Sequence, residues 1–166
     1  IENIPFLVEK YPKYADFAGE AIDDIFNEDL LQSAQVRKAV EFASVVLMNN
    51  GDETFTKINL PIEVQFSPVY AILVDDFDKD GFQDMLTGGN FSGVPPELGR
   101  YDASYGNVLL GEGTGSFKSA SLQSSGFIVT EEIRQMKKIK TPNNQNQILV
   151  VRNNNTTVIF NQLQNK

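Results

Sequence analysis

The sequence predicts an all-β fold with a helical N-terminal segment. Apolar residues in the first 41 positions recur at the spacing of one helix face, whereas the rest of the chain consists of short β-rich runs separated by Gly, Asn and Asp clusters. The β-rich part repeats itself once, which is typical of β-propeller blades or another β array. We therefore expect a partial β-propeller of about two blades after a mostly helical segment.

The helical segment spans residues 1–41. Pro12 suits the first turn of a helix, and the apolar residues after it lie on one helix face. Asn27 is a suitable N-cap for a second, short helix, because its side chain can accept a hydrogen bond from a free backbone N–H. The apolar positions are Phe17, Ala18, Ala21, Ile22, Ile25 and Phe26 in the first helix, and Leu30, Leu31 and Ala34 in the second.

Short runs rich in β-branched and aromatic residues predict strands after residue 41. Polar turns such as NNGDET, GEGTG and NNN separate the runs, and many short strands with polar turns indicate an all-β region. In chain order the predicted strands are FASVVLM, FTKINL, VYAILV, DMLT, NVLL, SFKSASL, QILVV and TVIF.

Three landmarks of the β-rich part recur at nearly one offset. Phe42 in FASVVLM and Tyr105 in YGNVLLG lie 63 positions apart (105 − 42). The Phe residues that end NNGDETF and GEGTGSF lie 62 apart (117 − 55), and MLTGGN and ILVVRN lie 63 apart (148 − 85). The alternative to a true repeat is that short strands resemble one another by chance. The offsets divide the region into blade-like repeats over residues 42–104 and 105–166.

The composition excludes several classes of function. Lys and Arg total 14 against 22 Asp and Glu, and the net charge of −8 argues against a nucleic-acid or anionic membrane partner. Since the chain has neither Cys nor His, it has no thiol nucleophile, no Ser-His or Cys-His catalytic pair and no Cys/His zinc site. No apolar run is long enough to span a bilayer, so no membrane insertion is expected in this segment.

The segment ILVDDFDKDGFQDMLTGGN carries the clearest chemical signal. Its carboxylates follow the order D-x-D-x-D-G-x-x-D, and a Gly after the third lets the backbone turn sharply. Carboxylates this close repel one another unless a cation lies among them, and Ca²⁺ takes about six to eight oxygen ligands. The predicted Ca²⁺ ligands are the side chains of Asp76, Asp78, Asp80 and Asp84 and the backbone carbonyl of Phe82.

An EF-hand does not fit these residues. That motif needs flanking helices and a Glu at the last position of its loop, where this sequence has Thr87 and β-like flanks. A solvated acidic turn without an ion would fit the pattern, and so would a Mg²⁺ site, although Mg²⁺ prefers fewer protein ligands and more water. At the common offset, the second repeat has Ile139, Thr141, Asn143 and Gln147 where the four Asp residues stand. One metal site is therefore expected rather than two.

These residues resemble the FG-GAP/VCBS repeats, which form the blades of integrin-α-like β-propellers. VDDFDKDGFQDML is similar to the calcium loop of that family, and NVLLGEGTGSF and SVVLMNNGDETF are similar to the hairpin that follows it. LPIEVQFSPV, GRYDASYGNVLLG and ILVVRNNNTTVIF are similar to the C-terminal part of bacterial members related to the cartilage acidic protein group. The resemblance covers roughly residues 42–160 and is most specific in the loop.

The resemblance implies four-stranded blades around an axis, Ca²⁺ held in the loop by the four Asp side chains and the Phe82 carbonyl, and an extracellular, cell-surface or periplasmic location. Lys79 departs from the pattern, because the family often has Gly or another small residue at this position. Propellers need at least about four blades. The chain, which opens with IENIPF, is therefore expected to be the C-terminal fragment of a longer propeller and to associate with its further blades.

The function expected from these features is recognition or adhesion by a calcium-stabilised module that binds a protein or a glycan. The metal is structural in this interpretation, and we assign no catalytic residue and no organic cofactor. The alternative is a polysaccharide-degrading enzyme, either a lyase or a hydrolase, or an accessory domain of one. Glycoside hydrolysis requires a suitably placed pair of carboxylates, which an acidic chain can supply.

Overall fold

The computed structural model describes residues 4–161, which form short helices at the N terminus and three antiparallel β-sheets after them. Backbone contacts divide the chain into two compact units, Ile1–Glu41 and Phe42–Lys166. Within the described residues, every strand lies in the second unit, which confirms the predicted mostly β character. No helix in residues 4–161 has both the length and the apolar character needed to cross a bilayer.

The first unit contains short helices rather than long ones. In its described part these are α1 (Pro5–Lys10), α2 (Tyr14–Phe17), α3 (Ile22–Ile25) and α4 (Glu28–Ser33). The Asn27 side chain accepts a hydrogen bond from the Leu30 N–H at 3.0 Å, which confirms the predicted cap of α4. The single helix predicted after Pro12 is wrong. α2 ends at Phe17, because Ala18 is already extended (φ −67°, ψ 121°), and Gly19, with a φ of 94°, follows it before α3.

The second unit contains three sheets. Its strands are β1 (Val45–Asn49), β2 (Phe55–Asn59), β3 (Val69–Asp75), β4 (Asp84–Gly89), β5 (Asn107–Gly111), β6 (Phe117–Ser119), β7 (Ile133–Lys140), β8 (Asn146–Arg152) and β9 (Val158–Asn161). A short helix, α5 (Leu122–Ser125), precedes β7. Sheet 1 is the hairpin β1–β2, sheet 2 has the order β3-β4-β5-β6, and sheet 3 has the order β7-β8-β9.

The strand β7 is the one that the sequence pattern missed. Its buried residues Ile133 and Met136 lie three positions apart, whereas a regular strand places every second side chain on the same face. A bulge between Ile133 and Gln135 accounts for the spacing, because it inserts one residue and shifts the alternation. The other predicted runs each overlap a strand of the structure.

The hairpins β3–β4 and β7–β8 share one register, including a bulge near the start of the first strand. The matching cross-strand pairs are Val69 with Gly89 and Ala71 with Gly88 in the first hairpin, and Ile133 with Arg152 and Gln135 with Val151 in the second. The offset is 64 on the first strand (133 − 69) and 63 on the second (152 − 89), so the second hairpin has one residue fewer in its loop. The two bulges meet, since the Arg134 guanidinium lies 4.6 Å from the centre of the Tyr70 ring.

The hairpins β1–β2 and β5–β6 are a second matched pair. Each turn is closed by a backbone hydrogen bond of 3.1 Å, from the Asn50 N–H to the Thr54 carbonyl and from the Glu112 N–H to the Ser116 carbonyl. The donor and the acceptor of the second bond each lie 62 positions after those of the first (112 − 50 and 116 − 54). Sheet 2 therefore combines one hairpin from each of the two predicted repeats.

Two apolar clusters hold the sheets together face to face. The cluster between sheets 2 and 3 has buried members on both sheets and on the segment before β7: Ala71, Leu86, Phe127, Val129, Ile133, Met136, Ile148 and Val150. A smaller cluster packs sheet 1 against the opposite face of sheet 2 around Leu60, Val64 and Leu109. The acidic residues lie in the turn between the first two strands of sheet 2.

Candidate metal centre

The acidic loop, residues 76–83, connects β3 to β4. Asp75 and Asp84 form the last cross-strand pair of this hairpin, so the residues between them reverse the chain. Lys79 (φ 66°) and Gly81 (φ 94°) have left-handed backbone conformations that produce the turn. Gly adopts such angles without a steric penalty, whereas Lys79 does so at some cost. Lys79 therefore occupies a position whose backbone conformation favours Gly.

Three carboxylates converge in this turn. One oxygen from each of Asp76, Asp78 and Asp84 lies within 4.8 Å of the other two. Oxygens that bind one Ca²⁺ at about 2.3–2.6 Å can be at most about 5 Å apart, so the spacing suits a shared ion. The structure therefore brings together three of the four carboxylates that the sequence predicts as ligands.

Asp84 anchors the acidic loop to the sheet. Its side chain is completely buried, and its two oxygens accept three backbone hydrogen bonds. Oδ2 accepts from the N–H groups of Phe77 at 2.8 Å and Asp78 at 3.3 Å, and Oδ1 accepts from the N–H of Gly111 at 2.9 Å. One side chain thus ties the start of the loop to both β4 and β5.

Asp76 supplies the observation most specific to a cation. Its Oδ2 accepts a hydrogen bond from the Gly81 N–H at 3.1 Å, which closes the turn. Its Oδ1 is buried and has no hydrogen-bond partner among residues 4–161. Burying a carboxylate oxygen without a partner is costly, and a cation among the carboxylates would provide the missing interaction.

Asp80 and Phe82 complete the predicted ligand set but are not part of this group of three. Oδ1 of Asp80 accepts a hydrogen bond from the Phe82 N–H at 2.8 Å, and the Asp80 N–H donates to Oδ1 of Asp78 at 3.1 Å. These bonds hold Asp80 on the exposed side of the loop. Its role as a ligand, like that of the Phe82 carbonyl, stays a prediction.

The crowding of charge affects the pKa of Asp78. The hydrogen bond from the Asp80 N–H is the largest single influence and lowers this pKa. Desolvation and the repulsion from Asp84, Asp80 and Asp76 act in the opposite direction, and together they raise the pKa of Asp78 above its usual value of 3.8. The ionised side chain is therefore unfavourable among its neighbours until a cation compensates the charge.

The carboxylate of Asp75, next to the loop, is used differently. It forms an ion pair with Lys138 of β7, and both side chains are partly buried. The pair links sheets 2 and 3 beside the acidic loop. Sequence reasoning missed it because the partners lie 63 positions apart, and such a distance leaves no local signal.

Gly111 also belongs to the site, although the sequence marks it only as the end of the NVLLG run. A Cβ atom at this position would lie 2.1 Å from the Gln83 carbonyl oxygen, so only Gly lets β5 approach the acidic loop this closely. That approach brings the Gly111 N–H to Asp84. A Gly inside a strand pattern is the available signal, since it often marks a close backbone approach.

The polar loop, residues 141–145, connects β7 to β8 without acidic residues. The Thr141 N–H donates to the Gln145 carbonyl at 2.9 Å, and the Asn144 N–H donates to the Thr141 carbonyl at 2.9 Å. The Gln145 N–H also donates to Oγ1 of Thr141 at 3.1 Å. Neutral hydrogen bonds thus close this turn. Oδ1 of Asn146, next to the loop, is buried without a hydrogen-bond partner in the described residues, but it belongs to an uncharged amide.

The register of the two hairpins corrects one predicted correspondence. Asp75 pairs with Asp84, and Ile139 pairs with Gln147 in the same place of the second hairpin. Gln147 therefore does correspond to Asp84, as predicted. The residue in the place of Asp76 is Lys140 rather than Ile139, because the offset on the first strand is 64 and not 63.

No family model matches this sequence, and neither a curated protein nor a solved structure is significantly similar to it. The evidence for the candidate metal centre is therefore its geometry, and the FG-GAP/VCBS resemblance stays a prediction.

Proposed function

We propose that the acidic loop binds one Ca²⁺ ion and that this ion stabilises the fold. The observation that carries the proposal is the convergence of three carboxylates, with one buried oxygen that has no protein partner in the described residues. Ca²⁺ accepts irregular shells of about six to eight oxygens, whereas Mg²⁺ demands near-octahedral geometry and retains water. Asp76, Asp78 and Asp84 would supply three ligands, and Asp80 and the Phe82 carbonyl would complete the protein's share.

The ion would act as a structural link. Because Asp84 also accepts the Gly111 N–H, an ion bound to Asp84 would connect the acidic loop with β4 and β5. A ligand that binds only the folded state stabilises it by about 2.7 kcal/mol when its free concentration is a hundred times the Kd. For a chain of this size, that stabilisation corresponds to an increase in Tm of about 5–10 °C.

Several features support placing this module in a β-propeller of the FG-GAP/VCBS type. Antiparallel sheets pack face to face, and matched hairpins recur along the chain. The acidic loop connects the first two strands of sheet 2, which is the sheet with four strands. Propellers stack such sheets around an axis. Sheets 1 and 3 have fewer strands in residues 4–161, so the proposal includes further blades of the same protein that continue the array.

The role proposed for this scaffold is recognition or adhesion in an exported protein, with a protein or a glycan as ligand. A rigid β scaffold presents its loops as binding surfaces. The alternative of a polysaccharide-degrading enzyme needs two carboxylates on either side of the scissile bond. A cavity of about 620 Å³ lies beside the candidate metal centre, and among the described residues that line it only Asp78 is acidic, so it does not favour that alternative.

Thermal unfolding in Ca²⁺, in Mg²⁺ and in EDTA tests the metal proposal. We expect Ca²⁺ to raise the Tm by about 5–10 °C over EDTA and Mg²⁺ to raise it less. Asp78→Ala should abolish the difference between Ca²⁺ and EDTA, whereas the matched change in the polar loop, Thr141→Ala, should preserve it. Calorimetric titration should give one ion per chain. An identical Tm in Ca²⁺ and EDTA for the wild-type protein would sink the proposal.

A glycan array combined with a turnover assay on the same polysaccharides separates recognition from catalysis. Binding without turnover is the expected result. Depolymerisation of a bound polysaccharide by the purified chain would instead establish the enzyme alternative.

A further inference from the structure

A pocket of about 420 Å³ lies at the end of sheet 2 that is opposite to the acidic loop. Asn107 pairs with Thr87 there, at the start of β5, whereas Gly111 at the other end of β5 approaches the acidic loop. The volume is within the range of small-molecule sites, about 300–1,000 Å³. Three segments line this pocket, which we call the β5 pocket: Glu63 with Phe66, residues 103–107 and residues 119–122.

The first wall of the β5 pocket is a 3₁₀-helix, Ile62–Phe66, that the core holds in place. Val64 is buried in the cluster between sheets 1 and 2. The side-chain amide of Gln65 donates to the two backbone carbonyls that flank the hairpin β1–β2, at 3.0 and 3.1 Å. Glu63 and Phe66 line the pocket. Their backbone is therefore fixed before any ligand binds.

The second wall, residues 103–107, is held by the buried side chain of Asn90. Oδ1 of Asn90 accepts from the Ser104 N–H at 3.1 Å, and Nδ2 donates to the Ser104 carbonyl at 2.8 Å. The Tyr105 carbonyl accepts from the Val129 N–H at 2.9 Å. The Tyr105 ring is thus presented by a backbone that is already ordered, and such a site loses less conformational entropy on binding.

The side chains of the β5 pocket combine aromatic rings with uncommitted polar groups. Phe66 is 53% exposed and Tyr105 is 50% exposed. The Glu63 carboxylate and the Ser119 hydroxyl form no hydrogen bond with residues 4–161. The buried Ser104 hydroxyl accepts one backbone hydrogen bond at 3.1 Å but donates to no group in that range. Donors and acceptors for a ligand therefore lie beside two ring faces.

A neutral sugar matches this combination. Its C–H groups can pack on an aromatic ring, whose face is electron-rich, and its hydroxyls both donate and accept hydrogen bonds. Among the described residues that line the pocket, none is basic and only Glu63 is charged, which disfavours phosphate, sulfate and carboxylate ligands. One carboxylate is also too few for glycoside hydrolysis.

We infer that the β5 pocket binds a neutral sugar residue of a glycan. This inference rests on the recognition role proposed above and narrows it to one site and one class of ligand. It does not depend on the proposed Ca²⁺ site, because the pocket and the acidic loop lie at opposite ends of β5.

An array of neutral, sialylated and sulfated glycans tests the inference with the wild type, Tyr105→Ala and Tyr101→Ala. Both Tyr side chains are 50% exposed, but only Tyr105 lines the pocket, and truncation retains the backbone hydrogen bonds of both residues. We expect the wild type and Tyr101→Ala to bind neutral glycans. In calorimetry with the strongest neutral binder as a free oligosaccharide, Tyr105→Ala should bind at least about tenfold more weakly, because it loses one ring.

Amide chemical shifts of the ¹⁵N-labelled wild type locate the site without a variant. Titration with the same oligosaccharide should shift the amides of residues 63–66, 103–107 and 119–122 and leave those of the acidic loop unchanged. All binding is measured in both Ca²⁺ and EDTA, so a failed calcium titration leaves the sugar result readable.

Three results would overturn the inference while the recognition role stands: equal affinity of Tyr105→Ala and the wild type, shifts confined to other residues, or binding to charged glycans alone. An array on which nothing binds would also overturn it, and would leave a protein as the ligand of the proposed recognition role.

Discussion

The hairpins β3–β4 and β7–β8 have the same register and the same bulge, yet their loops are stabilised in opposite ways. In the acidic loop, backbone N–H groups donate to carboxylates, and one buried carboxylate oxygen has no partner in the described residues. In the polar loop, neutral hydrogen bonds among Thr141, Asn144 and Gln145 close the turn, and the buried oxygen without a partner beside it, Oδ1 of Asn146, belongs to an uncharged amide. The strand–loop–strand topology therefore does not require acids. Their presence in one copy needs a separate reason, and ion binding provides one.

The largest expected difference between the two hairpins is at Asp84 and Gln147, which occupy the same place. Asp84→Ala removes the acceptor of three backbone N–H groups, and each buried donor left unsatisfied costs about 1–3 kcal/mol. We expect a loss of at least about 3 kcal/mol in urea unfolding with EDTA present. Gln147→Ala removes an exposed hydrogen bond to Asn161 and should cost less than about 0.5 kcal/mol. Equal losses of stability in Asp84→Ala and Gln147→Ala would show that the two side chains contribute equally to the fold.

Backbone conformation gives the next largest contrast. Gly81 has a φ of 94°, and a Cβ there would meet no atom within 4 Å, so Gly81→Ala introduces backbone strain without a clash. We expect a loss of about 1–2 kcal/mol, together with weaker Ca²⁺ binding. In the polar loop, Asn144 already tolerates a φ of 59°, and Asn144→Gly should change stability by less than about 0.5 kcal/mol. Urea unfolding of both variants in EDTA is the measurement. A neutral Gly81→Ala would mean that the acidic loop can adopt another conformation.

The ion pair between Asp75 and Lys138 connects the two hairpins, and its removal should have a smaller effect. Lys138→Met keeps the apolar stem and removes the charge, and we expect a loss of about 0.5–1 kcal/mol without metal. The freed negative charge of Asp75 lies next to the acidic loop, so the same variant should bind Ca²⁺ more tightly by calorimetry. Lys137→Met, on the exposed side of β7, is the control and should leave the affinity unchanged. Unaltered affinity in Lys138→Met would show that Asp75 does not act on the candidate metal centre.

Without metal, the smallest expected effect is that of Asp78→Asn, and its sign is opposite in EDTA and in Ca²⁺. Since the pKa of Asp78 is raised in the folded protein, the folded state binds a proton more tightly than the unfolded state. Stability without metal therefore falls as the pH rises from 3.8 through the folded-state pKa. Asn retains an acceptor for the Asp80 N–H, so the variant should raise the Tm in EDTA at neutral pH by about 1–2 °C. In Ca²⁺ it should lower the Tm, because one ligand charge is lost.

A pH series in EDTA checks the assignment of this effect to Asp78. The difference in Tm between Asp78→Asn and the wild type should shrink as the pH falls toward 3.8, because the wild-type side chain becomes neutral. Asn143→Asp, which adds a charge to the polar loop, should not reproduce the pH dependence. A lower Tm for Asp78→Asn in EDTA at neutral pH would contradict the repulsion among these carboxylates.

Local sequence patterns predicted most of the strands and the candidate ligands of the acidic loop. Alternating apolar runs between polar turns located eight of the strands, since a half-buried strand needs a period of two. β7 escaped detection because its bulge changes the spacing of Ile133 and Met136. The single predicted helix after Pro12 was wrong because Ala18 is extended and Gly19 has a left-handed conformation, and these two residues separate α2 from α3. In both cases a local irregularity of the backbone disturbed a regular pattern.

The sequence by itself determined the chemistry of the candidate centre, because ligand type, ligand order and the turn-forming Gly81 are all encoded within a few neighbouring positions. Tertiary structure alone decided how those groups are used. It placed the Gly111 N–H on Asp84, neutralised Asp75 with Lys138, and left Oδ1 of Asp76 buried without a protein partner in the described residues. These features depend on the register between strands that are far apart in the chain, and pairing over such distances is set by the packing of whole sheets and not by local sequence.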